Sequence, residues 1–334
     1  MQARSHRMLR WLCRTGRPLQ DALRVAVAVL EHEGAAFGQG SACAFEDAAW
    51  LLLWSLDLPR DRLDDFRSCQ MSVPEMRRFA RLLRRRVEAR LPVAYLTAEA
   101  WLHGLSFHAD RRALIPRSLL VEALAWCAGE ELLGSPARIL DLCTGSGSIL
   151  VHAAMRYPQA ILFGSDISEG ALALARDNLH AHGVEARCEL RCGSGLEPWI
   201  DARFDLLLCN PPYVTDAGIE ALPPEFLAEP QVALDGGPDG MRFCRQWLPA
   251  AGRCLAPGGS LLLEIGRGAE HFARAFPGLE PLWVPVEAGP HMVMLFTQSQ
   301  LCAYFAEPGP GGADALAYRD ALAPDRADTF DHHA

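Results

Sequence analysis

The chain has 334 residues, enough for one α/β domain of ~250 residues or fewer and a smaller unit beside it. Half of the residues are hydrophobic, which allows a large core, and the net charge of −9 weighs against an enzyme built around nucleic acid. Eleven cysteines without paired metal spacing, no apolar stretch of ~20 residues and no apolar leader within residues 1–17 point to a soluble cytoplasmic protein with reduced thiols.

Residues 18–90 carry helix-period patterns over Leu19–Glu33, Phe45–Leu56 and Pro74–Arg90, interrupted by turn signals at Gly38-Gln39-Gly40. The last pattern gathers Arg77, Arg78, Arg81, Arg84, Arg85, Arg86 and Arg90. A solvated helix face accounts for such a run more readily than phosphate contact with RNA, which stays open as the alternative. Trp50, Trp54 and Trp101 fall at helix or strand spacing and read as core. Val93 to Asp110 alternates apolar and polar residues about Gly104, the pattern of a β-hairpin. From Ser118 onward strands and helices alternate, with strands near 138–142, 161–166, 187–191, 204–209, 259–265, 281–286 and 291–297. The last two, split by Glu287-Ala288-Gly289-Pro290, read as a hairpin that gives the sheet an antiparallel strand at its end. After Gln300, Glu307-Pro308-Gly309-Pro310-Gly311-Gly312 and a weakly acidic tail are expected to be disordered. The chain thus divides into a helical unit (1–90), a hairpin linker (91–117), an α/β domain (118–300) and a tail (301–334). His103, His108, His152, His180 and His182 lack metal spacing, so no metal is proposed.

Three segments of the α/β part carry chemistry. Ile139–Leu142 runs into the loop Cys143-Thr144-Gly145-Ser146-Gly147, whose glycines let backbone approach a ligand closely. Nineteen residues after Gly147 a second strand ends in Asp166, a spacing suited to a carboxylate that accepts from ribose hydroxyls. The apolar run Leu206–Cys209, of a kind buried on both faces, ends in Asn210-Pro211-Pro212-Tyr213. Neither proline has an N–H, and Asn210 before a proline is held extended. That makes a rigid corner of acceptors, matched to a planar –NH2 group. The loop lacks a third glycine at the dinucleotide position, so the three segments read as a methyltransferase using S-adenosylmethionine (SAM) rather than a nicotinamide enzyme.

The motif order resembles the class I SAM-dependent methyltransferases that modify amino groups conjugated to a π system. Pro92-Val93-Ala94-Tyr95-Leu96-Thr97, Ala100 to Phe107, Leu114-Ile115-Pro116-Arg117-Ser118, Leu140 to Gly147, Glu229-Pro230 and Leu263-Glu264-Ile265-Gly266 resemble the protein-glutamine methyltransferases. The Tyr-Leu-Thr run, Trp101 and Pro116-Arg117-Ser118 are most similar to the ribosomal-protein-specific (PrmB-type) branch, which acts on the third large-subunit ribosomal protein. The release-factor branch carries Pro-Arg-Pro at that place. The resemblance implies a seven-stranded, mostly parallel sheet with a terminal antiparallel strand and a helical substrate-recognition unit ahead of it. It implies a ribosomal protein or assembling large subunit as substrate, with ribosomal RNA as a possible contact.

On this reading Asn210 Oδ1 and the Pro211 carbonyl accept the two N–H groups of the substrate amide, Pro212 stiffens the corner and Tyr213 packs on the amide plane. Thr144, Gly145 and Gly147 cradle the methionine part of SAM, Asp141 faces its ammonium, Asp166 holds the ribose and Ile167 flanks the adenine. The family often places an acidic residue against the adenine amine where this chain has Ser194, a hydroxyl that still accepts a hydrogen bond. Three rivals compete. A release-factor methyltransferase keeps the mechanism and changes the substrate. A nucleic-acid adenine methyltransferase uses the same corner, but the 87 residues from Asn210 to Thr297 barely finish the sheet and leave no room for a base-recognition insert. A non-catalytic ribosome-assembly factor has no need of both Asp166 and the Asn210 corner.

Overall fold

Phe204–Cys209 lies at the middle of a seven-stranded sheet in the computed structural model, which describes residues 1–14 and 16–306. In chain order the strands are β1 (Arg138–Leu142), β2 (Ile161–Asp166), β3 (Cys188–Cys192), β4 (Phe204–Cys209), β5 (Leu255–Glu264), β6 (Leu282–Val284) and β7 (Val293–Thr297). Across the sheet they run β6-β7-β5-β4-β1-β2-β3. From β5 to β3 all neighbours are parallel, while β7 is antiparallel to both β5 and β6. The antiparallel strand is therefore the last in sequence and sits one place inside the edge, which β6 completes. Strand order reverses between β1 and β4, and a crevice opens there at the carboxyl ends.

Leu207, Leu208 and Cys209 are wholly buried because helices cover both faces of a central parallel strand. On one face Phe204, Trp247, Leu248, Phe272 and Phe296 form a core under the helices Arg242–Cys254, Ala269–Ala275 and Gln298–Ala306. On the other, Leu120, Leu124, Ile139, Leu150 and Leu262 pack beneath Leu120–Gly129 and Ser148–Arg156. The helix Gln298–Ala306 corrects the expectation of a disordered tail from residue 301: Leu301 is buried, and a Cβ at Gly252 would stand 3.0 Å from the Cys302 nitrogen. The remainder of that expected tail, residues 307–334, lies outside the described residues.

Ahead of the sheet, α1 (Ala3–Leu12), α2 (Leu19–His32), α3 (Ala44–Ser55) and α4 (Val73–Glu88) share a core of their own. α4 starts on a reciprocal cap between Ser72 and Glu75, with Pro74 in its first turn. Val93–Thr97 is a short helix and not the first arm of a hairpin. Thr97 Oγ1 donates back to the Val93 carbonyl at 3.0 Å, and left-handed Ala98 (φ 56°) ends the turn. The hairpin itself is Glu99–Leu102 paired with Leu105–His108 about His103-Gly104. Ala100 enters the helical core while Leu102 and Phe107 enter the sheet core, so the hairpin bolts the two together.

Candidate active site

A cavity of about 270 Å³ occupies the crevice. Its floor is the loop after β1, where Cys143 (φ 58°), Gly145 (φ 54°) and Gly147 (φ 76°) are all left-handed. Cys143 has a side chain in that region and is strained. At Gly147 a Cβ would stand 3.1 Å from that of Ala175, so its glycine is also needed for helix packing. Asp141 is wholly buried beneath the loop. Its Oδ2 accepts from Thr144 Oγ1 at 2.7 Å, and its Oδ1 has no partner. Burial, reinforced by Asp166 nearby, pushes its carboxyl up to about 8. Asp166, at the end of β2, accepts from the Gly145 and Ser168 N–H groups at 2.9 Å each. Burial also raises its pKa, against those hydrogen bonds. Ile167 stands on the rim, 61 % exposed, and Ser194 lines the wall beyond β3.

β4 delivers Asn210 to the cavity, half-buried, with Pro212 beside it. Among the described residues no side chain or backbone group hydrogen-bonds to the Asn210 amide. Pro211 is buried behind it. Tyr213, expected against the substrate amide, does not line the cavity. Its ring packs on Gly266, where a Cβ would stand 2.7 Å from Cε2, and its hydroxyl donates to Glu264 Oε1 at 3.2 Å. Glu264 is itself buried, with Oε2 accepting from Ser118 Oγ at 2.6 Å and from the Leu119 N–H at 2.9 Å. Burial raises the Glu264 pKa, and burial followed by the Glu264 charge raises that of Tyr213. Ser118 is thus a donor to a buried carboxylate that a proline at that position could not be.

A family profile described as the methyltransferase small domain matches residues 118–241. A ribosomal protein uL3 glutamine methyltransferase of Bordetella pertussis is 42 % identical over 287 residues, covering 85 % of this chain and 96 % of that one. Its counterpart in Burkholderia pseudomallei is 38 % identical over 297 residues, with the same coverage of 85 % and 96 %. The chain belongs to the uL3 glutamine methyltransferase family. Among solved structures, TrmN from Thermus thermophilus is 23 % identical, over 75 % of this chain and 78 % of its own, at a TM-score of 0.39. SAM is the methyl donor, and the site fits it: Thr144, Gly145 and Asp166 line the cavity, and Asp141, buried beneath the loop with one oxygen unpartnered, favours a cationic group such as its ammonium. Among the described residues no group of three or more His, Cys, Asp or Glu side chains could hold a metal ion.

The wall opposite the loop is the segment after the corner, and sequence reasoning gave it no role. Two wholly buried carboxylates anchor it in this uL3 methyltransferase family member. Glu229 takes both Arg117 guanidinium nitrogens, at 2.6 and 2.7 Å, and the Ile115 N–H at 3.0 Å. Glu225 Oε1 accepts from Arg86 and Arg90 at 3.1 Å each and from the Ala36 N–H at 3.1 Å. Arg86 is 1 % exposed and also donates to Asp47 Oδ2 at 2.7 Å and to the Ala36 carbonyl at 2.6 Å. Arg86 is therefore neither solvated nor free for phosphate, and Arg90, its side chain 31 % exposed, is engaged by the same Glu225: together they fasten the N-terminal unit to the wall that carries Pro230, Val232 and Ala233. A pair of glutamates in an otherwise apolar, proline-flanked stretch was the available signal.

Proposed function

We propose that this protein carries the methyl group of SAM to the side-chain amide nitrogen of a glutamine in ribosomal protein uL3. The observation that carries the reading is Asn210, presented unpaired at the end of β4 on the cavity, in a chain of this family. SAM supplies an electrophilic methyl group on a sulfonium. An amide nitrogen attacks poorly because its lone pair is delocalised, the resonance that gives peptide bonds a rotation barrier of ~18–20 kcal/mol. Asn210 Oδ1 and the Pro211 carbonyl hold its two N–H groups, which orients the nitrogen and favours positive charge developing there. The proton then becomes acidic and leaves to water. Pro212 stiffens the corner. Tyr213 acts as a positioning residue through Glu264. Asp141 faces the ammonium, Thr144, Gly145 and Gly147 the methionine part, Asp166 the ribose, and Ile167 and Ser194 the adenine.

The helical unit (1–90) selects the substrate, the hairpin linker (91–117) joins it on, and residues 118–300 build the SAM site. The substrate is uL3, free or in the assembling large subunit, with ribosomal RNA as a further contact. The setting is the cytoplasm, in keeping with eleven free thiols. The test offers labelled SAM with uL3, a release factor or DNA, and locates any added methyl by mass spectrometry. Methylglutamine on uL3, lost in Asn210→Ala, is expected. Label on the release factor would change the branch, and label on DNA the substrate class.

A further inference from the structure

The outer face of the N-terminal unit is densely basic although the chain as a whole is acidic. α1 exposes Arg4, Arg7 and Arg10, Arg14 is exposed just past its end, and no Asp or Glu occurs before Asp21. α4 exposes Arg77, Arg81, Arg84 and Arg85, spaced by threes and fours along one face. The two helices lie together. Leu9 and Leu12 of α1 share a core with Phe79 and Leu83 of α4, and Arg77 and Arg84 both act on the Cys13 thiol at the end of α1. Of the carboxylates nearby, Glu75 is engaged in the cap with Ser72, Asp57 with Arg78, Asp64 with Arg67 and Asp65 with Arg62, while Glu88 stands exposed at the end of α4. Arg4 borders Glu31. Among the described residues none of these eight arginines forms an ion pair. Clustered like charge repels itself in the free protein, and an anionic partner would relieve it.

Trp11 stands between Arg10 and Arg14 in the chain, 37 % exposed, with one ring face covered by the Arg17 guanidinium 3.4 Å from its centroid. An aromatic ring among arginines is the surface on which an unpaired base stacks, while guanidinium forks grip phosphate. A bilayer is a poor alternative, because the apolar sides of both helices are spent in the core. We infer that the α1–α4 face binds the phosphate backbone of an RNA and offers Trp11 to an unpaired base. The inference deepens the uL3 reading, on which it rests for the identity of the RNA: that of the particle holding the target glutamine. Arg86 and Arg90 take no part, since they are bound to Glu225.

The test is fluorescence anisotropy of the full chain with a labelled RNA hairpin bearing a single-stranded overhang. It needs neither SAM nor uL3, so failure of the glutamine reading leaves it standing. Binding is expected with a Kd of about 1–100 μM at physiological salt. With about four phosphates neutralised, affinity should fall roughly a hundredfold between 50 and 200 mM salt. The combined variant Arg77→Gln, Arg81→Gln, Arg84→Gln, Arg85→Gln should weaken binding about tenfold or more and flatten the salt slope. Arg7→Gln, Arg10→Gln, Arg14→Gln on the other helix should do the same, and unchanged SAM binding in each set certifies the fold. Trp11→Ala should weaken the overhang hairpin more than a blunt duplex. Absence of RNA binding, parental affinity in both arginine sets, or tighter binding to polyglutamate or phosphatidylserine vesicles would each overturn the inference.

Discussion

Replacing Arg86 by Met tests whether the wall of the cavity is held from the N-terminal unit. Methionine keeps the apolar stem of the side chain and deletes the guanidinium, which makes three hydrogen bonds at 2.6–3.1 Å to Asp47, Glu225 and the Ala36 carbonyl. Breaking a buried ion pair from one side costs about 3–5 kcal/mol, because the partner charge stays buried. Here both partners keep something: Asp47 retains Ser41 Oγ, and Glu225 retains Arg90 and the Ala36 N–H. The lower end, about 3 kcal/mol, is therefore expected. That is a large part of a stability of about 5–15 kcal/mol, yet leaves a folded protein. It corresponds to roughly a hundredfold greater opening of the anchored segment. Urea unfolding measures the stability, hydrogen exchange over residues 223–234 the opening, and equilibrium dialysis the SAM affinity. Affinity should stay within about twofold, because Asp141 and Asp166 sit on the sheet and Thr144 on the loop that follows β1, while single-turnover transfer to uL3 slows. Arg86→Lys should fall between, since one ammonium cannot span three acceptors in a fork. A stability loss below about 1 kcal/mol, or parental exchange and transfer despite a larger loss, would sink the anchor.

Asn210→Ala should lower kcat about 10²–10³-fold, close to 3 kcal/mol, with SAM binding unchanged by dialysis; turnover at the parental rate would remove Asn210 from the mechanism. Asp141, pushed up to about 8, is mostly protonated at neutral pH, whereas a bound ammonium favours the carboxylate. SAM affinity should therefore rise about tenfold per pH unit from pH 6 to 7.5 and level off above 8, with Asp141→Asn abolishing the slope in calorimetric titrations. A flat profile for the parent protein would mean Asp141 does not meet the cation. Ser118→Ala deletes a 2.6 Å donor to buried Glu264 and should cost about 1.5–3 kcal/mol in denaturant unfolding; a loss under 0.5 kcal/mol would show that water replaces it. Gly266→Ala places a Cβ 2.7 Å from the Tyr213 ring at φ 52°, so transfer should fall with SAM affinity retained; parental transfer would show that the position of Tyr213 is immaterial.

The sheet was legible because a parallel strand buried on both faces has few sequence solutions: a short apolar run stopped by Gly, Pro or a polar cluster. Ile161–Asp166 and Phe204–Cys209 match their expected bounds, and β3, an edge strand with alternating exposure, is displaced by one residue. Val93–Thr97 was misread because Val93, Tyr95 and Thr97 at every second position are residues common in strands, while the left-handed residue that ends the helix, Ala98, gives no sign of it in sequence. α1 went unread because, among its apolar residues, its arginines leave only Leu9 and Leu12 fully buried. The corner and the loop were legible as contiguous motifs. The anchors were not, because their partners stand far apart in the chain, as with Arg86 and Glu225, separated by 139 positions.

A helix face, however, can be read from its phase. On α4, Met76, Phe79, Ala80, Leu83 and Val87 form the buried stripe, and Arg86 falls within it. A guanidinium on an apolar stripe cannot stay there alone, so its phase alone demanded a carboxylate from elsewhere in the fold. Arg77, Arg81, Arg84 and Arg85 lie on the opposite phase and meet solvent. What reads as one run of arginines is thus divided on one helix: Arg86 holds the cavity wall, Arg78 pairs with Asp57, and the other four face solvent. Because Arg86 and the outward four differ in phase and share no partner, their effects should add. Arg86→Met should slow transfer to isolated uL3 without touching RNA affinity, and the outward set should do the reverse. If either set moved both quantities, the helix would couple RNA contact to the active-site wall, and the two roles would be one.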